Sequence, residues 1–235
     1  MSEWWTYRLS DFLLFSSRTY NRLFELYHRD IWPLQVLAIL GGVFMLLLLL
    51  RAQARHGRVI ASFLAAAWLW VALAFHLQRY ATINWAASWF AGLFLLEALL
   101  LLWHGVIRDR LRLVPITHRA QWLGIALFVF ALLIQPFVSV LSGRAWTQTE
   151  LFGLTPDATA VGTLGVILVA GARVRLSLLL IPLLWCVVSG ATLWTMKSPD
   201  AFVLLAAASL ALVRAAWMIA TSRRVRGTST HVRSD

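Results

Sequence analysis

Residues 83–104 read INWAASWFAGLFLLEALLLLWH. As a helix rising about 1.5 Å per residue this stretch is about 33 Å long, enough to cross a hydrocarbon core of about 30 Å. Within its apolar run it holds one charged residue, Glu97. A run this long and this apolar reads as a membrane span. Six more stretches read the same way, at about 31–50, 59–77, 119–141, 157–172, 176–196 and 201–221. The fold class that follows is all-α, a polytopic helical membrane protein of about seven transmembrane helices.

Composition agrees. Of 235 residues 60% are hydrophobic and 13% charged, and the mean hydropathy is +0.75, which excludes an ordinary soluble protein. Seven spans of about 20 residues use about 140, leaving short loops and no sizeable soluble domain. The fifth span is short unless it begins at Pro156. Thr155-Pro156-Asp157 offers an N-cap, a proline at the first helical position and an acid in the first turn, so that start is expected. Arg173 and Arg175 separate spans five and six, because guanidinium groups favour the membrane edge over its middle.

Ahead of the spans, residues 1–30 carry Trp4, Trp5, Tyr7, Phe12 and Phe15. Tyr20, Leu23, Phe24 and Tyr27 then follow at the i, i+3, i+4, i+7 spacing of one helix face. This predicts an amphipathic interfacial helix lying on the membrane surface. Ser16 or Ser17 caps its start, and Arg18, Arg22, Glu25 and Arg29 face water or headgroups. The organisation is thus 1–30 interfacial segment, 31–221 transmembrane domain and 222–235 a disordered, Arg-, Ser- and Thr-rich tail. Residues 34–50 followed by Ala52-Gln53-Ala54 have the outline of a cleavable leader. The long acidic and aromatic stretch before them, and Arg51, Arg55 and Arg58 around and after them, favour a retained first span.

The net charge of +11 comes almost wholly from arginine, the one lysine being Lys197. These cations sit between apolar runs, so the expected partner is the lipid bilayer and not nucleic acid. Segments 51–58, 105–119, 172–176 and the tail after 221 are rich in arginine, while 78–82, 142–156 and 197–200 carry one cation each. The latter loops are read as external, which puts the N-terminus outside and the C-terminus in the cytoplasm. Ala61/Ala65, Ser88/Gly92, Ala158/Gly162 and Ala207/Ala211/Ala215 are small pairs suited to close helix packing. Pro136 and Pro182 remove backbone donors inside spans and are candidate kinks.

Ionisable groups inside spans are costly, so they are the first candidates for function. Glu97 and Arg214 lie at about the same fraction of spans three and seven, both running inward, and can form an ion pair. Such a pair is either a static brace or a gate. His104 lies two turns beyond Glu97 on nearly the same face, which would extend the set into an inner polar track. A second cluster is expected at the outer mouth: His28, Asp30, His76 and Arg79, with Glu150, Asp157, Trp32 and Trp85 nearby. Gln135, Ser139, Ser189 and Thr192 add hydrogen-bonding capacity within spans. None of the histidines belongs to a spaced metal motif, and the single cysteine, Cys186, reads as a small buried hydrophobe. No metal or cofactor is expected. Lys197 sits at a membrane edge, which rules out a retinal Schiff base in the last helix. Nucleophile-elbow, zinc-protease and P-loop motifs are lacking, so the chain is read as a non-enzyme.

The stretches WWTYRLSDFLLFS at 4–16, LY at 26–27, DIWP at 30–33, IPLLWC at 181–186 and SGATLW at 189–194 carry a resemblance. Together they resemble an uncharacterised family of bacterial multi-pass membrane proteins, a domain of unknown function. The resemblance implies a bacterial inner membrane location and no activity. The leading expectation is transport or permeation of a small solute or ion, with Glu97, Arg214 and His104 as the inner track. The alternative is a non-transporting membrane subunit or sensor that presents its N-terminal helix and outer aromatic mouth to a membrane protein partner.

Overall fold

The computed structural model describes residues 15–113, 115–117, 119–170 and 176–231, and among these every regular element is helical. In chain order they are α1 (Ser17–Asp30), α2 (Leu34–Arg51), α3 (His56–Trp70), α4 (Ala87–Leu101), α5 (Arg119–Val129), α6 (Gln135–Leu141), α7 (Pro156–Ala170), α8 (Leu176–Thr195) and α9 (Asp200–His231). Helical turns carry α3 on to Thr82, α4 on to Ile107, and α5 into α6. Five helices are then long and apolar enough to cross a membrane: Leu34–Arg51, His56–Thr82, Ala87–Ile107, Gln121–Leu141 and Ser177–Thr195. Pro156–Ala170 is apolar but shorter. The backbone of α9 continues as helix to His231, through most of the stretch that the sequence suggests is a disordered tail. Trp4, Trp5, Tyr7 and Phe12, and the Arg173 and Arg175 break, lie outside the described residues.

α1 starts where its capping residue sits, with Ser16 Oγ accepting from the Thr19 N–H at 3.2 Å. The face made by Tyr20, Leu23, Phe24 and Tyr27 is buried, and Arg18, Arg22 and Arg29 are exposed. That face meets protein, not lipid. Phe75 lies 5.1 Å from Phe24 and 5.3 Å from Tyr27 between ring centres. The Tyr27 hydroxyl donates to the Leu154 carbonyl and accepts from the Trp70 indole, both at 2.8 Å. The expectation of a helix resting its apolar face on the membrane is corrected accordingly. The Tyr27 hydroxyl finds its partners in a neighbouring loop and helix, which hydrocarbon cannot offer.

At the centre stands α7, all of whose 15 residues are buried. It begins at Pro156 as the sequence predicts. Thr155 stands at the N-cap position, its carbonyl accepting from the Thr159 N–H at 3.3 Å, while its side chain closes the preceding turn: its Oγ accepts from the Leu151 N–H at 2.8 Å and donates to the Leu151 carbonyl at 3.0 Å. Thr159 and Thr163 bond back one turn, to the Thr155 and Thr159 carbonyls, and so bury their hydroxyls at little cost. α7 packs most closely on α5, where Gly124 and Gly165 face each other. A Cβ on Gly165 would stand 2.7 Å from both the Gly124 carbonyl oxygen and the Phe128 nitrogen. Of the expected small pairs, Ala61/Ala65 and Ala158/Gly162 are buried as packing residues, as are Ala207 and Ala211. Ser88 and Gly92 instead face outward, and a Cβ on Gly92 would meet nothing within 4 Å.

Three of the long helices contain a π-helical turn, at Val71–Leu77, Leu102–Ile107 and Phe130–Ile134. The last comes immediately before Gln135 and Pro136, where the helix already loses one donor. The first two contain a buried polar side chain, His76 and His104, and the third is followed directly by another, Gln135. Such wide turns are frequent at functional positions.

The Gly124–Gly165 contact gives a direct test. Gly165→Ala should destabilise the protein by about 1–3 kcal/mol, since backbone and not a flexible side chain must move. Gly92→Ala should be neutral or stabilising by about 0.5–1 kcal/mol, because it removes only helical flexibility. Thermal unfolding in detergent micelles, compared across the two variants, reads the difference.

Candidate functional site

The ends of α6 and α8, the loop from 142 to 155 and the first turns of α7 and α9 converge on a polar chamber. Arg144, Glu150, Asp157, Asp200, Gln135 and Ser139 line it, together with Val138, Leu193, Val203 and Leu204. All six polar residues are buried. Asp157 and Asp200 each occupy the first turn of a helix, where the macrodipole favours negative charge. Arg144 follows Gly143, whose φ of +87° lets the chain reverse after α6 and aim the guanidinium inward.

One half of the chamber is fully bonded. Arg144 Nη1 donates to Asp200 Oδ2 at 3.4 Å, and Arg144 Nε donates to Asn21 Oδ1 of α1 at 3.0 Å. Ser142 Oγ donates to Asp200 Oδ1 at 2.5 Å. The guanidinium carbon lies 5.6 Å and 5.3 Å from the ring centres of Tyr20 and Phe24, so α1 covers the arginine with two aromatic faces. Asp157 Oδ1 accepts from the Trp185 indole at 2.8 Å. The other half is not satisfied. Neither carboxylate oxygen of Glu150 and not the side-chain oxygen of Gln135 makes a well-formed hydrogen bond among the described residues.

Burial, and then the Asp157 carboxylate beside it, push the Glu150 carboxyl up from 4.5 to about 8. Thr155, Arg144 and the Ala158 N–H pull in the opposite direction without prevailing. Burial likewise holds His28 below the ordinary imidazole value, and the Thr149 carbonyl, 2.9 Å from its Nε2, offsets part of this. Arg144 also lies between the chamber and an outer cleft of about 170 Å³, lined by Ser17, Tyr20, Asn21, Ser142, Lys197 and Ser198. The guanidinium lines both spaces, as does Leu193.

The outer-mouth residues expected from the sequence divide. Asp30 and Arg79 form an ion pair at the surface. His28 bonds to the Thr149 carbonyl. His76 stands apart, fully buried and ringed by Phe94, Trp185 and Phe90 at 4.5, 5.0 and 6.1 Å between ring centres, with neither ring nitrogen hydrogen-bonded among the described residues. Trp32 and Trp85 are exposed. No group of three or more His, Cys, Asp or Glu among the described residues could hold a metal ion.

The inner track is only partly assembled. Glu97 is fully buried in α4 and His104 is buried in the π turn that follows it. No ion pair joins Glu97 to Arg214 among the described residues: both Glu97 carboxylate oxygens and Arg214 Nε lack a partner there. Equal depth did not bring these two side chains together because α4 packs mainly on α3 and α8, whereas α9 packs on α8 and α7. Sequence reasoning also missed Arg144 and Asp200 as site residues. Their signal was present: opposite charges in two loops assigned to the same side, 142–156 and 197–200.

The raised Glu150 carboxyl has a consequence for stability. A carboxyl whose folded value exceeds its unfolded value binds more protons when folded, so its contribution is complete below about pH 4.5 and is lost as the pH rises towards about 8. Wild-type melting temperature should therefore fall across that window. Glu150→Gln, which keeps the shape and cannot ionise, should show a shallower fall and a higher melting temperature at pH 8. An unchanged profile in the variant would remove Glu150 as the source.

No curated protein and no solved structure matches the chain. A family match covers residues 17–226, and so takes in α1, the chamber, Glu97, His104 and Arg214. The chain belongs to the family of unknown function DUF6064.

Proposed function

We propose that this chain is an integral membrane protein of the bacterial inner membrane that lets a small solute or ion cross the bilayer, entering by the Arg144 cleft and the chamber beneath it. The observation that carries this reading is the chamber itself. Buried acceptors without a well-formed hydrogen bond, Glu150 and Gln135, sit inside the helix bundle and next to an open polar cleft. Groups of this kind are expensive in a membrane protein and mark solute paths.

The same reading takes α7 and α9 as spans beside the five longer helices, which makes seven. Contacts between loops support the alternation. Arg144 and Asp200 join two of the arginine-poor loops, and Arg58 and Asp109, 3.2 Å apart, join two of the arginine-rich ones. By the distribution of arginine, the chamber end faces outside and the C-terminus is cytoplasmic. Deeper groups continue the path. Trp185 touches Asp157 and His76, Phe94 touches Trp185 and His76, and Glu97 lies one turn beyond Phe94 on α4. His104 is a further two turns on, about 10.5 Å along the axis.

The competing reading, a non-transporting subunit or sensor, draws on the exposed indoles of Trp32 and Trp85. It has lost the apolar face of α1, which the protein itself covers. Flux separates the two. Proteoliposomes loaded with wild type should pass protons or a common mono- or divalent cation, and Glu150→Gln and Glu97→Gln should each reduce that flux at least tenfold. Arg79→Ala, which breaks only a surface ion pair, should not. Absence of any flux from folded wild type would give the subunit reading precedence.

A further inference from the structure

The chamber has acceptors to spare and few donors. Arg144 spends Nε on Asn21 and Nη1 on Asp200, and the Ser139 hydroxyl turns back to the Gln135 carbonyl at 3.4 Å. Left short of donors are Glu150, which has the Thr155 hydroxyl and the Ala158 N–H nearby but no well-formed bond to either, and the Gln135 side-chain oxygen, on residues 2% and 5% exposed. Ionising Glu150 would set three carboxylates around one guanidinium, a charge that a bound cation would balance. An occupant that answers both deficits is a cation that donates hydrogen bonds. A bare metal ion fits less well, since the carboxylates do not converge as a ligand set. The enclosed part of the chamber, closed off by Val138, Leu193, Val203 and Leu204, has room for a single water-sized body.

We infer that the chamber is a binding site for an ammonium-sized, hydrogen-bond-donating monovalent cation, held by Glu150 and Gln135 with Asp157 beside them. Ammonium is about the size of water and carries four N–H donors, which suits acceptors arriving from α6, the 142–155 loop and α7. Potassium has the charge without the donors. Methylammonium keeps three donors but adds a methyl group for which the enclosed part has no room. Arg144, braced by Asp200 and Asn21, stands at the entrance from the outer cleft and disfavours multiply charged cations there.

This inference deepens the permeation reading by naming its ligand, and its test is a binding measurement, so either can fail alone. Purified full-length protein in micelles, at pH 7 and constant ionic strength, is titrated with ammonium, potassium, methylammonium and tetramethylammonium chlorides. Melting temperature and calorimetry are the readouts. Ammonium should give a saturable rise in melting temperature. Potassium and methylammonium should bind at least tenfold more weakly, and tetramethylammonium should give no saturable response. Glu150→Gln should weaken ammonium binding at least tenfold, and Gln135→Ala severalfold, the second variant deciding the matter if the first does not fold. No saturable response from folded wild type, equal affinity for potassium, or unaltered affinity in the folded variants would overturn the assignment. Ammonium binding without flux would leave the site standing and remove the permeation reading; flux of another ion without ammonium binding would do the reverse.

Discussion

The rest of the structure depends on the burial of α7 from end to end. Its 15 described residues cover about 22 Å, all of it surrounded by protein, and the bare backbones of Gly124 and Gly165 let α5 come close. The 142–155 loop that leads into Pro156 is itself buried at Arg144, Thr149, Glu150 and Thr155. Arg144 and Glu150 ride on that loop, so residues that would ordinarily face headgroups are carried inward. The polar chamber is thus a consequence of the same packing that fixes the bundle.

Much of this was legible in the sequence. Hydrophobic run length located the helices, the 3.6-residue period identified the buried face of α1, and Ser16 and Pro156 marked helix starts that the structure keeps. What periodicity supplies is a face, not the surface that covers it. Tyr20, Phe24 and Tyr27 would look the same whether they met lipid or Phe75. Matching by depth has a similar defect. Glu97 and Arg214 agree in fraction along their spans, but which neighbour each helix packs against depends on the whole arrangement, and α4 and α9 are not close partners. Gly124 and Gly165 lie in separate spans and form no spaced pair within one, so a search along single helices passes over them.

Arg144 and Asp200 were hidden for a different reason. Each stands in a loop between apolar runs, where counting charges for topology treats it as a label for one side of the membrane. The structure shows these two instead as buried partners of each other. Their contact spans 56 residues, and nothing local announces it.

Within the chamber the two halves do different things, and the division follows from desolvation. Burying an ion pair gains little over apolar packing, whereas removing one partner is severely destabilising. Arg144, Asp200, Asn21 and Ser142 satisfy one another, so this half acts as a frame, tying α1 and the 142–155 loop to the start of α9. Glu150 has the Thr155 hydroxyl and the Ala158 N–H nearby without a well-formed bond, and the Gln135 side-chain oxygen has none. Had the site been selected for stability alone, an apolar pair of similar volume would cost less than two acceptors without donors. The frame is complete without them, and the permeation proposal therefore draws on the unsatisfied half. The rigidity of the frame is what would allow those acceptors to remain aimed at an occupant instead of collapsing onto the arginine.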